Sequence, residues 1–253
     1  MNNEDLKRKY DEVFKEGSDN FFTCNVFHEA HTIAGMDEWK DKKVMDVGCG
    51  EGMLPVMIAH AGAEHVVGVD YSEEAIKNAH NKFNCDNVQF VADDYRKVEG
   101  KFDVITMQGV MEHLDKPWDE LHNMLENHVE EGGSLITSSP SFVNPRGYVW
   151  MTLEKLFDVP MSLTDLHFIC PFDMEEFCHK HGYELEYKSI HQDWGSGDTM
   201  IRDFRKRLVN ALSDAGMDYS KVEDLLEWMY KANQHFQTSD VTGAIVVYKV
   251  TKK

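Results

Sequence analysis

Short apolar runs alternate with longer amphipathic segments between residues 43 and 138, and this alternation constrains the fold more than any other feature. Five of the runs have the length of buried strands: 44–47, 66–69, 88–91, 102–107 and 133–138. Three segments with helical periodicity lie between them, at about 52–63, 72–83 and 118–129. Strands and helices that alternate at this spacing form βαβ units, so we predict a parallel sheet with helices on both faces.

The pattern changes after residue 140. Residues 142–171 carry aromatic side chains without a clear period, and residues 192–241 contain two amphipathic segments. A helix near 172–181, a strand near 184–190 and an apolar run at 244–248 restore the alternation and bring the predicted strands to seven. We therefore predict a single α/β domain over residues 1–253, with a mostly parallel seven-stranded sheet and two irregular insertions.

The chain is strongly acidic, with a formal net charge of −19. Such a charge repels nucleic acid and anionic membranes, and no run approaches the roughly 20 apolar residues of a membrane span. The first residues lack the apolar core of a signal peptide. Five scattered cysteines without a CxxC pair argue against disulfides and a zinc site: Cys24, Cys49, Cys85, Cys170 and Cys178. We expect a soluble cytoplasmic protein that binds neither nucleic acid nor membranes.

Residues 46–52, Asp-Val-Gly-Cys-Gly-Glu-Gly, form a glycine-rich turn between the first strand and the first helix of the alternation. Glycines there allow a tight turn and let a ligand lie against the main chain. The GxGxxG fingerprint of dinucleotide-binding proteins would need its third glycine at position 53, which is Met53. The next strand ends at Asp70, about 20 residues after Gly52, where a carboxylate can accept both hydroxyls of a ribose.

Together with the motifs that follow it, this turn resembles the first motif of the class I S-adenosylmethionine-dependent methyltransferases. Four later stretches resemble further motifs of that family in the same order: 68–71, 90–94, 102–114 and 132–135. The stretch 102–114 is similar to small-molecule O-methyltransferases of the ubiquinone-pathway type. The resemblance covers about residues 40–140 and implies a Rossmann-like fold that binds S-adenosylmethionine. We expect the insertions, about 142–171 and 192–241, to form a helical cap over the acceptor.

The resemblance implies that ten residues contact the cofactor: Asp46, Gly48, Cys49, Gly50, Gly52, Asp70, Tyr71, Asp93, Asp94 and Gln108. The glycines and the backbone of Cys49 would line the methionine part, and Gln108 would lie at the same end. Asp46 would contact the methionine amino group, or alternatively only accept hydrogen bonds from the turn. Asp70 would hold the ribose, and Asp93, with Asp94 and Tyr71 beside it, would meet the adenine.

His113 and His167 are the candidate catalytic residues. A hydroxyl acceptor needs a base, and histidine titrates near the working pH. His113 follows the fourth strand and should face the cleft, although it could instead cap local structure; His167 precedes the next helix, where related enzymes place an active-site residue. Some relatives bind a divalent ion through E-x-x-E-H, but Gly109 replaces the first glutamate here, so we expect no metal.

A basic cluster that includes Arg202 and Arg205 follows the turn 195–199 and could bind an anionic acceptor, or could simply be a solvated helix face. We predict transfer of a methyl group from S-adenosylmethionine to a small molecule, to a hydroxyl above all, including phosphorylated or nucleotide-activated metabolites. Methylation of nitrogen, a nicotinamide-dependent oxidoreductase and a non-catalytic S-adenosylmethionine-binding module are the alternatives. The sequence does not indicate the oligomeric state.

Overall fold

The computed structural model describes residues 8, 11–15, 26–161 and 165–253. Its centre is a sheet of seven strands: β1 (Lys43–Val47), β2 (His65–Asp70), β3 (Val88–Ala92), β4 (Phe102–Gln108), β5 (Val129–Pro140), β6 (Glu184–Ile190) and β7 (Ile245–Thr251). The strand order is β3-β2-β1-β4-β5-β7-β6. Strands β1 to β5 pair in parallel, and β7 runs antiparallel to both β5 and β6. The predicted mostly parallel, seven-stranded Rossmann-like fold is confirmed.

The helices are α1 (Val26–Ala34), α2 (Met53–His60), α3 (Glu73–Lys82), α4 (Pro117–Asn127), α5 (Pro145–Phe157), α6 (Pro171–His181), α7 (Gln192–Ser196), α8 (Asp198–Asp214) and α9 (Val222–Asn233). Several begin at residues that supply a cap. The hydroxyl of Ser72 accepts the N–H of Ala75 at the start of α3, and the amide oxygen of Asn144 accepts the N–H of Gly147 at the start of α5. None of the described helices combines the length and the apolar content needed to cross a bilayer.

Successive residues of a strand point to opposite sides of the sheet, so each face carries apolar side chains and is covered by helices. Val44 packs on the side of α1 and α2, whereas Met45 packs on the side of α4 and α6. A third apolar cluster joins α5, α8 and α9 through residues such as Trp150, Phe204 and Leu226. The two insertions predicted from the sequence therefore pack against each other and share one core.

Two details of the insertions differ from the expectation. Residues 142–171, which show no clear period, contain the 13-residue helix α5, and residues 192–241 contain three helices rather than two. Helix α5 shows no period because its buried Trp150 lies among the exposed apolar residues Tyr148, Leu156 and Phe157. The extra helix α7 is a single short turn that ends where α8 begins.

Candidate functional site

The candidate site lies at the carboxyl ends of the parallel strands. Strand β1 is flanked by β2 on one side and β4 on the other, so the chain leaves β1 at the point where the strand order reverses. Ligands of open α/β sheets bind outside the carboxyl ends of the strands at such a point. The glycine-rich turn follows β1, Asp70 ends β2, and Gln108 ends β4. The structure therefore brings three of the sequence-predicted elements to one edge.

The glycine-rich turn requires glycine for two separate reasons. Gly48, Gly50 and Gly52 all have positive φ, at 72°, 50° and 85°, a region that other residues adopt at a cost. In addition, a Cβ on Gly48 would lie 2.5 Å from Cγ2 of Val110, and a Cβ on Gly52 would lie 2.5 Å from Cζ of Phe90. The turn is thus both conformationally special and in close contact with the segments that follow β4 and form β3.

Asp70 is buried, and its carboxylate is held by main-chain donors. The N–H of Gly50 donates to one oxygen at 2.9 Å, and the N–H of Ser72 donates to the other at 2.9 Å. Burial raises the pKa of this carboxyl, while both hydrogen bonds act in the opposite direction. The two bonds tie the end of β2 to the glycine-rich turn and fix the position of the acid.

Asp46 lies in β1 beneath the turn and is fully enclosed. The hydroxyl of Thr106, its register partner on β4, donates to its carboxylate at 2.5 Å. Burial raises the pKa of Asp46 to about 7; the Thr106 bond lowers it, and the nearby charge of Asp70 raises it further. A cation beside the Asp46 carboxyl would favour its ionised form, since a nearby opposite charge stabilises the carboxylate.

Asp93 and Asp94 follow β3 and already have partners in the chain. The carboxylate of Asp93 forms an ion pair with Lys97 at 2.6 Å, and the same side chain lines a cleft of about 540 Å³ that reaches the amino ends of β1 and β4. The carboxylate of Asp94 binds the guanidinium of Arg96 at 2.8 Å and caps the short helical turn 95–97. The main-chain N–H of Asp93 donates to the carbonyl of Asp70 at 3.0 Å, which places both acids near the end of β2.

The remaining cofactor candidates surround this edge. The side-chain amide of Gln108 donates to the carbonyl of Val26 at 2.9 Å and so joins β4 to α1. Tyr71 is 37% exposed, and burial of its ring on the other side raises the pKa of its hydroxyl. Cys49 is buried, and burial raises the pKa of its thiol well above the usual value. A thiol that resists ionisation is a poor nucleophile, in agreement with a purely lining role.

Glu112 and His113 occupy the short helical turn 111–113 that follows β4. The hydroxyl of Ser139 donates to the buried carboxylate of Glu112 at 3.0 Å. Burial raises the pKa of Glu112 to about 7, the imidazole of His113 lowers it, and Asp165 raises it. Nδ1 of His113 lies 3.7 Å from a carboxylate oxygen of Asp165. The imidazole of His113 therefore lies near the carboxylate of Asp165 and interacts electrostatically with that of Glu112.

His167 reaches the same cluster through its backbone. Its N–H donates to the carbonyl of Glu112 at 3.2 Å, beside the N–H of Leu166 at 2.8 Å. Nε2 of the His167 ring is buried and has no hydrogen-bond partner among the described residues. Both histidines predicted from the sequence thus lie on segments that contact each other after β4.

Arg202 and Arg205 lie on the exposed face of α8. The guanidinium of Arg205 binds the carboxylate of Glu223 on α9, at 2.9 and 3.2 Å, and that of Arg202 binds the hydroxyl of Thr199 at 2.9 Å. In the interior of the cap, by contrast, Arg146 is 1% exposed and its Nε lies 3.7 Å from Asp203. The sequence analysis missed this buried arginine because no periodicity marks α5.

The helical residues 11–15 lie over the glycine-rich turn, a contact that the sequence analysis did not predict. The hydroxyl of Ser72 donates to the carboxylate of Asp11 at 2.5 Å, and the amide of Asn78 donates to the carbonyl of Phe14 at 3.2 Å. The ring of Phe14 approaches within 3.6 Å of a Cβ built on Gly50. These contacts join residues far apart in the chain, and no local pattern signals them.

Comparisons with known proteins agree on one family. The family model described as "Methyltransferase domain" matches residues 24–188. A ubiquinone biosynthesis O-methyltransferase of Neisseria meningitidis serogroup C is 29% identical over 164 residues, which cover 60% of this chain and 68% of the relative. The mitochondrial ubiquinone biosynthesis O-methyltransferase of Schizosaccharomyces pombe is 35% identical over 127 residues, covering 47% of this chain and 43% of the relative. The chain therefore spans less than half of the yeast relative.

The fold is shared with solved structures. Magnesium protoporphyrin IX methyltransferase from Synechocystis, determined with bound SAH, superposes with a TM-score of 0.54 at 16% identity and covers 90% of this chain and 82% of its own. An S-adenosylmethionine-dependent methyltransferase structure from Listeria monocytogenes gives a TM-score of 0.56 at 16% identity, with coverage of 90% and 98%.

Proposed function

The chain belongs to the methyltransferase-domain family of class I S-adenosylmethionine-dependent methyltransferases, and we propose that it methylates a hydroxyl oxygen of a small molecule. S-adenosylmethionine, its cofactor, supplies an electrophilic methyl group on a sulfonium. Family membership excludes the alternative of a nicotinamide-dependent oxidoreductase. The dinucleotide fingerprint of such an enzyme would also need glycine at position 53, which is Met53. Family membership also makes the chain an enzyme rather than a silent binding module.

The residues at the carboxyl edge fit this cofactor. Asp70 offers its carboxylate to the ribose hydroxyls, and the two N–H groups that hold it leave its orientation fixed. Gly48 and Gly52 allow the turn to pack closely on its neighbours, because a Cβ at Gly48 would collide with Val110 and a Cβ at Gly52 would collide with Phe90. Asp46, whose raised pKa makes it responsive to a nearby cation, suits the ammonium of the methionine part.

We extend the same proposal to the other cofactor residues of the family pattern. Gly50 and Cys49 line the methionine part with their backbone, and Gln108 lies at that end. Asp93, with Asp94 and Tyr71 beside it, meets the adenine. For Asp93 this requires the amino group of the adenine to share or displace Lys97, which holds the carboxylate at 2.6 Å.

The imidazole of His113 favours oxygen as the atom that accepts the methyl group. The side chain of Val110 touches the glycine-rich turn, since Cγ2 of Val110 would lie 2.5 Å from a Cβ on Gly48, and His113 follows three residues later. A hydroxyl must lose its proton as its oxygen gains the methyl group, and an imidazole at the edge of the methionine subsite can take it. The position of this imidazole carries the choice of oxygen, and the O-methyltransferase activity in the names of the two relatives supports it.

The test is a comparison of matched acceptors. We would incubate the protein with S-adenosylmethionine and either catechol or 1,2-diaminobenzene, and identify the methylated atom by mass spectrometry and NMR. O-methylation of catechol is expected, and His113→Ala should lower kcat by about 10²–10⁴-fold while affinity for S-adenosylhomocysteine stays the same. Methylation of the diamine alone, or near-normal turnover in the variant, would contradict the proposal. In that second case His167→Ala is the next variant to measure.

We propose that the insertions 142–171 and 192–241 select the acceptor. An anionic group on the acceptor, such as a phosphate or carboxylate, remains a prediction for Arg202 and Arg205, which are exposed. Arg202→Ala and Arg205→Ala, made separately, should raise the KM of such an acceptor several-fold relative to its uncharged analogue. Since Arg205 already binds Glu223, Glu223→Gln is the matched control that releases the arginine without removing it.

A further inference from the structure

The connection from β3 to β4 crosses the sheet without an α-helix. It comprises residues 93–101, and within it only the short turn 95–97 is helical. Parallel strands are usually joined by crossovers of about a dozen residues or more, most of which contain an α-helix that covers the sheet. Because β2 and β1 lie between β3 and β4, this short connection passes over both of them. It borders a cleft of about 540 Å³, which we call the crossover cleft.

The floor of the crossover cleft is a face of β2 and β3 that no described helix covers. Helix α3 packs on the opposite face of β3, where the rings of His80 and Phe90 contact each other with 5.5 Å between their centroids. Successive strand residues point to opposite sides, so Val91 points away from α3, and Val67 of β2 points to the same side as Val91. Both valines line the cleft, so its floor offers apolar surface to a ligand.

The cleft carries a group of cations in a chain whose net charge is −19. Lys43, Lys97 and Lys101 all line it, together with two carboxylates, those of Asp93 and Glu99. The ammonium of Lys97 is bound to Asp93 at 2.6 Å. Those of Lys43 and Lys101 form no ion pair with a described residue. Two ammonium groups therefore remain for an anion, against one opposing carboxylate.

These two ammonium groups lie at the opposite end of the strands from the candidate cofactor site. Lys43 is the first residue of β1, and Lys101 directly precedes β4, whereas the glycine-rich turn follows β1. A strand rises about 3.3 Å per residue, so the five residues of β1 place Lys43 roughly 15 Å from that turn. An anion at Lys43 and Lys101 thus leaves the carboxyl edge free for the cofactor. The volume of the cleft also falls in the range of small-molecule sites, about 300–1,000 Å³.

One ion pair connects the crossover cleft with the candidate adenine contact. Lys97 and Asp93 both line the cleft, and their side chains are 70% and 40% exposed. An exposed pair of this kind is weak, so a second anion in the cleft can compete for the ammonium of Lys97. The carboxylate of Asp93 is then free to accept the amino group of the adenine.

We propose that the crossover cleft is an effector site: it binds a small organic anion with an apolar body, and this anion raises the affinity for the cofactor by drawing Lys97 away from Asp93. Lys43 and Lys101 hold the negative group, and the valines of the floor contact the apolar body. By linkage, the cofactor raises the affinity for the anion by the same factor. The coupling rests on the proposed contact between Asp93 and the adenine, whereas binding in the cleft does not.

The first experiment measures binding with a matched pair of fluorescent probes. The sulfonate probe is 8-anilino-1-naphthalenesulfonate, and the neutral probe, N-phenyl-1-naphthylamine, has the same aromatic body without the charge. Each is titrated into protein saturated with S-adenosylhomocysteine, which occupies the cofactor site. Lys43→Met and Lys101→Met should each weaken binding of the sulfonate several-fold and leave the neutral probe unchanged. Lys188→Met, at an exposed position of β6, is the matched control and should affect neither probe. Equal effects of the lysine variants on both probes, or no effect on either, overturn the proposal.

The second experiment locates the bound probe by filling the cleft. Gln89 is exposed on β3 and lines the cleft, and tryptophan is well suited to a strand. Gln89→Trp should remove most of the binding of the sulfonate probe, whereas Glu186→Trp, at an exposed position of β6, should not. Both variants should melt close to the wild type. Unchanged binding in a folded Gln89→Trp variant places the probe elsewhere and overturns the proposal.

Calorimetry with S-adenosylhomocysteine tests the coupling. A saturating concentration of the sulfonate probe should raise the affinity for S-adenosylhomocysteine by about two- to fivefold, the range expected for release of a weak exposed pair. Lys97→Met should show this gain without the probe and no further gain with it. An unchanged affinity in the wild type, or an equal gain from the probe in Lys97→Met, overturns the effector role. If Asp93→Asn binds S-adenosylhomocysteine as tightly as the wild type, the proposed adenine contact fails, whereas the probe titrations still decide binding in the cleft.

Discussion

Gly48→Ala tests the claim that the glycine-rich turn is shaped by its contact with Val110. At a φ of 72° an added Cβ costs about 1–2 kcal/mol, because the left-handed region brings it against the following carbonyl. The same Cβ would lie 2.5 Å from Cγ2 of Val110, and overpacking of this kind costs a further 1–3 kcal/mol or so. We therefore expect the free energy of unfolding to fall by about 2–5 kcal/mol, a large part of the roughly 5–15 kcal/mol of a typical domain.

Two companion variants divide that loss into its parts. Gly216 has nearly the same φ, 69°, but no atom of the described residues beyond its chain neighbours lies within 4 Å of a Cβ built there. Gly216→Ala should therefore lose only the conformational part, about 1–2 kcal/mol. Val110→Ala removes the methyl group that collides, so the double variant should recover about 1–3 kcal/mol relative to the sum of the single variants. Urea unfolding without cofactor measures the free energy of unfolding of the three single variants and the double variant against the wild type. If Gly48→Ala is no more destabilising than Gly216→Ala, or if Val110→Ala recovers nothing, the contact does not shape the turn.

Three further outcomes follow from the carboxylates of the site. S-adenosylhomocysteine at a hundredfold excess over Kd should stabilise the wild type by about 2.7 kcal/mol, and Asp70→Ala should lose most of that gain in a thermal-shift assay; an equal shift in both would remove Asp70 from the ribose. Because the folded protein holds the Asp46 proton up to a pKa of about 7, against 3.8 for a free side chain, stability should fall as pH rises between these values. Asp46→Asn should flatten that fall when stability is measured by urea unfolding at several pH values. Parallel curves of stability against pH for the variant and the wild type would refute the raised pKa of Asp46. Asp93→Asn should weaken S-adenosylhomocysteine binding several-fold by calorimetry, whereas Asp94→Asn should not; the reverse order would exchange their roles.

The sheet could be predicted because buried parallel strands are apolar along their whole length. The run at 44–47 became Lys43–Val47. The antiparallel strand predicted at 184–190, which alternates polar and apolar residues over its first four positions, was found unchanged. Strand β5 begins at Val129, four residues earlier than the run at 133–138, because Glu130, Glu131 and Gly132 hide its start in an exposed, polar stretch. Periodicity fails for strand residues that face water.

The site could be predicted only where its residues lie next to a strand end. Asp70 and Gln108 are the last residues of β2 and β4, so the position of the strand fixed theirs. The hydrogen bond from the Thr106 hydroxyl to Asp46 forms only because β1 lies beside β4. Predicting it requires knowledge of the strand order in the sheet, which the two strand sequences alone do not give. The position of Asp165 near His113 has no local signal at all, since it depends on a cap loop that returns to Glu112 through the backbone.

The position of β7 also has a consequence for biosynthesis. Strand β7 lies between β5 and β6, although it follows both in the sequence, and β6 pairs with no strand other than β7 among the described residues. While the ribosome is still making residues 245–251, β5 has an open edge and β6 has nothing to pair with. Unpaired strand edges of this kind are prone to intermolecular pairing. The order of synthesis therefore leaves the nascent chain dependent on β7 to join β5 and β6, and a ribosome stalled before residue 245 would hold an aggregation-prone intermediate.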